Sequence, residues 1–231
     1  MGNQTQEKHA LLTDFAHSTA YSEALRTLYA NIRFQWENST SRPARARSLL
    51  IATPVACGDY AAVAANLAIV AAQSGTDTLL VDADLRSASY AQRFGLEKND
   101  GLSDLLLDDA LVPEKIDAAL QSTFVPRLRL LGAGTGAASS QAATLLFSPR
   151  LEQVAQSLYQ RPHTTESENA LVIFHSPPVL AGADAALIGA QVEQTVLVII
   201  AGHTTRVQAK QAQEQLQQAH AHIIGVVMLH L

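Results

Sequence analysis

The side chains that could do chemistry in this sequence are two carboxylates, a histidine and those of one loop. Asp82 and Asp84 follow the apolar run TLLV, and His175 follows the apolar run LVIF. The loop is CGDYAA, residues 57–62, and it precedes an alanine-rich segment. Carboxylates and imidazoles hold protons or metal ions, and backbone N–H groups at a helix start bind anions. These groups form a site only if the fold brings them together.

Short apolar strands alternate with helical patterns along the chain. Continuously apolar strands are typical of a parallel sheet that is buried on both faces. The pattern predicts strands over residues 48–53, 78–81, 128–131, 171–174, 195–201 and 223–229. It predicts helices over residues 22–37, 59–74, 88–94, 102–107, 114–121, 151–160, 185–192 and 206–219. The fold class is therefore α/β, with a mostly parallel central sheet and helices on both faces.

In such a sheet, ligands bind beyond the carboxyl ends of the strands. The strand ends at which chemistry is expected are Thr53, Val81, Leu131, Phe174 and Ala201. Asp82, Asp84 and His175 therefore stand at the correct edge of the predicted sheet.

Length and composition fit one soluble domain. The chain has 231 residues, of which 48% are hydrophobic and 16% are charged, and its formal net charge is -5. This composition excludes a disordered chain, and the negative charge argues against a nucleic-acid partner. Cys57 is the single cysteine, with no histidine or lysine beside it to activate the thiol, so we interpret it as a loop residue. No apolar run reaches the roughly 18 residues of a membrane helix, and we expect a cytoplasmic protein.

The chain is predicted to have a flexible N-terminal lead over residues 1–20 and a single domain over residues 21–231. Within that domain we expect an N-terminal helix over residues 21–37, a linker over residues 38–47 and the α/β core over residues 48–231. The helix places Leu25, Leu28, Ile32 and Trp36 on one face. This stripe either packs on the chain's own sheet or contacts a partner, and the sequence leaves both interpretations open.

Five segments carry a resemblance through their order and spacing. They are YSEALRTLYANIRF, VAANLAIVAAQSG, TLLVDADLR, GLSDLLL and LVIFHSPPVLAGADAALI. Together they resemble the cytoplasmic domain of bacterial tyrosine kinases of exopolysaccharide synthesis, within the MinD/ParA-like P-loop ATPases. The resemblance runs from about Tyr21 to the C-terminus and implies a P-loop NTPase-like fold. It assigns Asp82 and Asp84 to the second acidic motif, Walker A′, and the LVIFHSPP segment to Walker B.

The phosphate loop departs from the family pattern. Counted back from Asn66, the family's Gly-x-Gly-Lys-Ser/Thr-Thr falls on Cys57, Gly58, Asp59, Tyr60, Ala61 and Ala62. A phosphate loop needs glycine amides around the phosphates, a lysine against their charge and a hydroxyl on magnesium. None of these residue types stands at its place, and His175 replaces the Walker B aspartate. The resemblance therefore predicts that ATP and magnesium binding is lost and that no cofactor is bound.

The individual residues also have structural interpretations. Asp59 is predicted to cap the following helix and so to place a carboxylate where phosphate would bind. Asp82 and Asp84 would cap the next turn or pair with an arginine such as Arg86. His175 either binds a metal ion or, as we favour for a lone histidine, hydrogen-bonds at the strand end.

The predicted function is that of a pseudokinase, a catalytically inactive protein that regulates or scaffolds bacterial exopolysaccharide biosynthesis and export. No catalytic residue and no metal ligand is assigned. The alternative is a divergent nucleotide-binding tyrosine kinase or ATPase, with Asp82, Asp84 and His175 around an unusual metal. A third hypothesis, a MinD-like positioning factor, would call for an amphipathic C-terminal helix that the sequence does not show.

The resemblance also implies a partner. In the family, the soluble domain is fused to, or docks on, a membrane-embedded polysaccharide co-polymerase or chain-length protein. We expect docking, which would place the chain peripherally at the inner membrane, and we expect Glu23 and Arg26 in the interface. These two residues match the family's oligomerisation helix, in which Tyr29 replaces a further arginine. Another copy of the chain or an active kinase homologue is the other expected partner.

Overall fold

The computed structural model describes residues 11, 19–37, 46–57, 59–136, 141–160 and 170–230. Most of the predicted N-terminal lead and of the predicted linker lies outside these ranges, as does Gly58. Leu11 is described, and it is buried against the same core as the first helix.

A seven-stranded sheet forms the centre of the described chain, in the order β3-β4-β2-β5-β1-β6-β7. Every neighbouring pair is parallel except β3 with β4, which is antiparallel. The strands are β1 Arg47–Ala52, β2 Asp77–Asp82, β3 Leu120–Ser122, β4 Leu128–Leu131, β5 Ala170–His175, β6 Gln194–Ile200 and β7 Ile223–Leu229. The predicted α/β fold class with a mostly parallel sheet is confirmed.

Helices cover both faces of the sheet. They are α1 Ala20–Glu37, α2 Tyr60–Gln73, α3 Tyr90–Arg93, α4 Leu102–Leu107, α5 Pro113–Ala119, α6 Ala142–Leu146, α7 Arg150–Gln160, α8 Asp184–Gly189 and α9 Arg206–Gln218. One hydrophobic cluster joins the strands to α1, α2 and α3. A second cluster on the opposite face joins them to the helices from α4 to α9.

Two differences between the predicted and the observed elements concern short segments. The helix predicted to Gln121 ends at Ala119, because Leu120–Ser122 pairs with β4 as a strand. Helix α6, which has five residues, was not predicted, because it is too short to show a helical period.

Helix α2 is buried over residues 61–72. Seven of these twelve side chains are alanine, so the helix can lie close to both the sheet and α1. A buried helix start at the carboxyl ends of the strands places residues 59–62 in the centre of the predicted site.

Helix α1 packs with its apolar face on this core. Leu25, Ile32 and Trp36 are buried, and Leu28 is half-buried. Tyr29 is buried too, and its hydroxyl hydrogen-bonds to the Thr76 side chain. The stripe predicted in α1 therefore belongs to the chain's own core.

Helix α4 packs against the loop after β4, and this contact explains the glycine and the aspartate of the GLSDLLL segment. The Leu102 N–H donates to the Gly132 carbonyl at 2.8 Å. The Asp104 carboxylate accepts from the N–H groups of Gly101 at 2.8 Å and Thr135 at 3.0 Å. A Cβ at Gly101 would lie 2.3 Å from the Gly132 oxygen, so this approach requires glycine.

Among the helices of the described ranges, none has the length and apolar character needed to cross a membrane.

Candidate functional site

The carboxyl ends of β1, β2 and β5 bring the predicted site residues together. Asp82 is the register partner of His175, and His175 is also paired with Ile51 of β1. The helix start at Tyr60 lies over these strand ends, because the Tyr60 ring is 5.4 Å from the His175 ring. The convergence expected from the strand order is therefore present.

Asp59 forms a buried, bidentate ion pair with Arg93 at the end of α3. Its two carboxylate oxygens accept from the two terminal guanidinium nitrogens, each at 2.7 Å. The side chains of Arg93 and Asp59 are only 14% and 7% exposed. Two parallel charge-assisted hydrogen bonds in a desolvated place are strong and fix geometry.

Asp59 stands at the predicted cap position, but its side chain does not cap the helix as predicted. Asp59 does occupy the position before α2, and its backbone carbonyl accepts from Ala62 N–H at 3.1 Å. Its side chain makes no capping hydrogen bond. The reason is the competing partner, because the guanidinium engages both carboxylate oxygens and turns them away from the helix amides.

Tyr60, which was predicted to stand at the position of the family's lysine, contacts Asp84. Its hydroxyl donates to Asp84 Oδ2 at 3.0 Å. Burial and the neighbouring Asp84 carboxylate raise the pKa of Tyr60, so its hydroxyl stays a donor.

Asp84 uses its other oxygen as a turn cap. Asp84 Oδ1 accepts from the backbone N–H groups of Arg86 at 3.2 Å and Ser87 at 3.1 Å. The predicted capping role is confirmed. The alternative that the sequence left open, pairing with the Arg86 side chain, is not the one observed, because that guanidinium binds Asp184 Oδ2 at 3.2 Å. Asp184 is buried at the start of α8, where an unpaired charge would be costly.

Asp82 is fully buried below Asp84. Its oxygens accept from the backbone N–H groups of Asp84 at 3.3 Å and Tyr90 at 3.2 Å. Burial raises the pKa of Asp82 to about 7, although these hydrogen bonds oppose the shift. The Tyr90 hydroxyl donates to the Ala61 carbonyl at 2.7 Å, which links α3 to the first turn of α2.

His175 lies between two tyrosine rings. The ring centroid of Tyr90 is 5.0 Å from it, and that of Tyr60 is 5.4 Å away. Burial lowers the pKa of His175 to about 4, so the imidazole is neutral at pH 7. Its Nε2 is buried and makes no hydrogen bond to any of the described residues. The hydrogen bond predicted for this histidine at the strand end is therefore not made by Nε2. The two rings flank the imidazole.

The remaining loop positions supply no polar side chain to the site. Ala61 and Ala62 are buried in the first turn of α2. Cys57 is half-buried with a free thiol, and Gly58 lies outside the described residues. Within the part of the chain that the structure describes, no three His, Cys, Asp or Glu side chains are grouped to hold a metal ion.

Arg93 and Tyr90 were missed by reasoning from the sequence. Arg93 lies 34 residues from Asp59, and no local pattern joins the two. The one signal was a short predicted helix with an arginine near its end, close in sequence to the DADLR segment.

Comparison with known proteins places relatives across nearly the whole chain. No protein-family model matches. The chain is 32% identical over 207 residues to tyrosine-protein kinase YwqD of Bacillus subtilis, covering 90% of this chain and 80% of YwqD. It is 31% identical over 206 residues to the putative tyrosine-protein kinase EpsB of Ralstonia solanacearum, covering 89% of this chain but only 25% of EpsB.

Solved structures show the same fold. The chimerical protein CapA2B2 superposes with a TM-score of 0.77 at 26% identity, covering 94% of this chain and 88% of that one. The kinase domain of Escherichia coli tyrosine kinase ETK gives 0.75 at 25% identity, covering 91% and 75%. The septum site-determining protein MinD of Pyrococcus horikoshii, at 22% identity and a TM-score of 0.61 over 79% and 70%, shares the P-loop fold.

The ion pair predicts a large, non-additive loss of stability. Asp59→Ala removes the bidentate carboxylate partner of the buried Arg93 and should lower the unfolding free energy by about 3–5 kcal/mol. The double variant Asp59→Ala/Arg93→Met removes both charges and should lose less than Asp59→Ala alone. Urea denaturation measures both. Glu214→Ala, which breaks an exposed pair with Lys210, is the matched control and should change little.

A simple helix cap gives a different result. Loss of a cap costs about 1 kcal/mol, and its effect would add to that of Arg93→Met. Additive single effects would contradict the ion-pair account.

Asp82 and His175 predict opposite pH dependences of stability. The pKa of Asp82 rises from 3.8 to about 7 on folding, so the folded protein holds an extra proton between these values and its stability falls as pH rises. The pKa of His175 falls from 6.5 to about 4, so the unfolded protein holds the extra proton and stability rises with pH.

Single variants separate these two contributions. In His175→Phe only the Asp82 contribution remains, so the unfolding free energy should fall with pH more steeply than in the wild type from about pH 4 to 7. In Asp82→Asn only the His175 contribution remains, so the unfolding free energy should rise from about pH 4 to 6.5. Unfolding free energies from urea titrations across this range give the slopes. Slopes equal to the wild-type slope in both variants would show that neither group titrates as described.

Proposed function

The chain belongs to the bacterial tyrosine-protein kinase family, and we propose that within this family it is a catalytically inactive partner that regulates or scaffolds exopolysaccharide biosynthesis and export. The observation that carries this proposal is that side chains of the predicted phosphate loop are engaged by other residues of the protein. Asp59 is held by Arg93, and Tyr60 reaches from the lysine position to Asp84.

The electrostatics of the loop support the loss of nucleotide binding. A nucleotide triphosphate needs positive charge and free backbone amides at the start of α2. Here Asp59 contributes a carboxylate at that start, and the charge of Arg93 is already matched by it. Phosphate binding would require this buried pair to separate, which costs several kcal/mol before any contact to the ligand forms.

The two retained acids support the same proposal. Asp84 already binds the Tyr60 hydroxyl and two backbone amides. Asp82 has a pKa of about 7, so a large share of it is protonated near neutral pH. A magnesium site would need charged carboxylates with free oxygens, together with a loop hydroxyl that Ala61 and Ala62 do not offer.

The alternative is a divergent enzyme that binds nucleotide through a non-standard loop. Asp82, Asp84 and His175 do share one end of the sheet, and a neutral imidazole is the form that binds metal ions. A single set of binding and activity measurements separates the two functions.

We predict that neither ATP nor ADP with magnesium stabilises the protein and that no phosphotyrosine forms. A ligand at a hundred times its dissociation constant would add about 2.7 kcal/mol of stability, which thermal denaturation detects readily. Tyr60→Lys alone should restore neither property, because the loop still lacks its glycines and hydroxyl. An active kinase of the family serves as the positive control. A saturable rise in melting temperature, or phosphotyrosine on the purified protein, would establish the divergent enzyme instead.

The partner we propose is a membrane-embedded polysaccharide co-polymerase, and the proposed contact is the outer surface of α1. One relative, from Klebsiella pneumoniae, is named as a putative tyrosine-protein kinase in the cps region. The inner face of α1 is occupied by the core, so only its outer face is available. Glu23 and Arg26 form an ion pair there, and their side chains are 59% and 42% exposed.

An exposed ion pair contributes little to folding, so this pair can be removed without loss of the fold. We predict that Glu23→Ala/Arg26→Ala weakens co-purification with the detergent-solubilised co-polymerase from the same cells, while the melting temperature stays nearly unchanged. Lys210→Ala/Glu214→Ala, in an exposed pair on α9, is the matched control. Recovery of the co-polymerase at the wild-type level with the α1 double variant would place the interface elsewhere.

A further inference from the structure

Strand β7 forms one edge of the sheet and carries neither a charge nor a proline. Its pairing with β6 is irregular at its start, where Thr195 pairs with Ile223 and Val196 with Gly225, and is regular from Gly225 to Leu229. Within the described residues it pairs with β6 alone. Its sequence, IIGVVML, has no charge and no proline, and Val226 and Met228 are 59% and 57% exposed. Natural edge strands normally carry charges, prolines or bulges that face a would-be partner.

The backbone of β7 presents regularly spaced groups outward. The Leu229 carbonyl accepts from Ala201 N–H at 2.8 Å, so the backbone groups of Leu229 point toward β6. Orientation alternates along a strand, so those of Val227 and Gly225 also point toward β6. The N–H and C=O groups of Val226 and Met228 therefore point away from the sheet.

A groove lies beside this edge, between α1 and β7. It has a volume of about 360 Å³ and is lined by Leu28, Ile32 and Gln35 of α1 together with Val196, Gly225 and Val227. Gly225 leaves the groove open, because a Cβ there would meet no atom within 4 Å. The edge and the groove together would accept an extended, uncharged strand that carries an apolar side chain opposite Gly225.

We propose that this strand is β7 of a second copy of the chain, paired antiparallel about a two-fold axis at Val226. In this register Val226 faces itself, and its outward N–H and C=O groups bond to those of its counterpart. Val227 of the second copy lies opposite Gly225 and enters the space that the glycine leaves. The same contact repeats on the other side of the axis, as a symmetric interface requires.

The chemistry of the strand identifies its own copy as the occupant. The pairing brings no charge against another, because β7 contains none. It joins two seven-stranded sheets into one and covers the exposed Val226 side chains. The proposal does not depend on the catalytic state of the site, which lies at the carboxyl ends of the central strands.

Disulfide trapping tests the register directly. In a Cys57→Ser background, Val226→Cys should oxidise to a disulfide-linked dimer, because directly opposed residues of a hydrogen-bonded pair have Cα atoms about 5.5 Å apart. Met228→Cys is the matched control. Its two copies would be offset by four residues, roughly 13 Å, so we expect at least about tenfold less cross-linked dimer than with Val226→Cys. Equal yields from the two variants would overturn the proposal.

Sedimentation tests the interface without cross-linking. The wild type should dimerise with rising concentration, and Val226→Lys should raise the dissociation constant by roughly tenfold or more because it opposes two like charges. Val207→Lys, at an exposed position of α9, should have no effect. Glu23→Ala/Arg26→Ala should also leave the dimer unchanged, which separates this interface from the one proposed on α1. The proposal would be overturned if the wild type stayed monomeric to roughly 100 µM, which is the result expected if β7 instead pairs with a peptide of another protein. It would also be overturned by a dimer whose dissociation constant Val226→Lys does not change.

Discussion

The buried ion pair between Asp59 and Arg93 joins the start of α2 to α3, and the arrangement of the site follows from it. A desolvated guanidinium must be matched by a carboxylate with good geometry, and here both terminal nitrogens are matched at 2.7 Å. With α3 fixed in this place, the Tyr90 N–H reaches Asp82 and the Tyr90 hydroxyl reaches the first turn of α2. Tyr60 and Tyr90 then enclose His175. The ion pair, two hydrogen bonds and two ring contacts thus form one connected unit.

In our proposal, this unit engages the groups that would otherwise bind a nucleotide. The carboxylate of Asp84 is engaged by Tyr60 and by its own turn, and Asp82 is buried with a raised pKa. The Asp59 carboxylate is held by Arg93 rather than by the helix amides, and the Tyr60 hydroxyl is held by Asp84. We propose that this protein is a regulatory or scaffolding member of a kinase family, which keeps the fold while its acidic groups bind other parts of the same chain. Its surfaces, rather than its strand ends, then carry the function.

The central strands and the fold class could be predicted from the sequence because a buried parallel strand is apolar along its whole length. The predicted span of β4, residues 128–131, agrees with the structure, as does that of β7. Asp82 and His175 could be placed at one edge because parallel strands end together. The five landmark segments also pointed to the family, which the similarity to YwqD confirms, whereas the position of the phosphate loop stays a prediction.

The interactions within the site could not be predicted, because they join residues distant in sequence. A carboxylate before a helix is usually its cap, and only the tertiary position of Arg93 made Asp59 an ion-pair partner instead. Arg86 likewise stands two residues from Asp84 and yet binds Asp184, 98 residues away. Tyr29 was predicted to replace an arginine of the family pattern, and its burial became clear only from the packing of α1 on the core.

The central claim is that the Asp59–Arg93 and Tyr60–Asp84 contacts keep the phosphate loop closed to nucleotide. The most direct measurement is a nuclear magnetic resonance titration of the labelled protein with magnesium-ATP, following the Arg93 side-chain Nε–H and the Tyr60 backbone N–H. The account predicts that both signals stay in place up to millimolar ATP. A saturable shift of these two signals would show that the ion pair opens to admit phosphate, and the account would then be wrong.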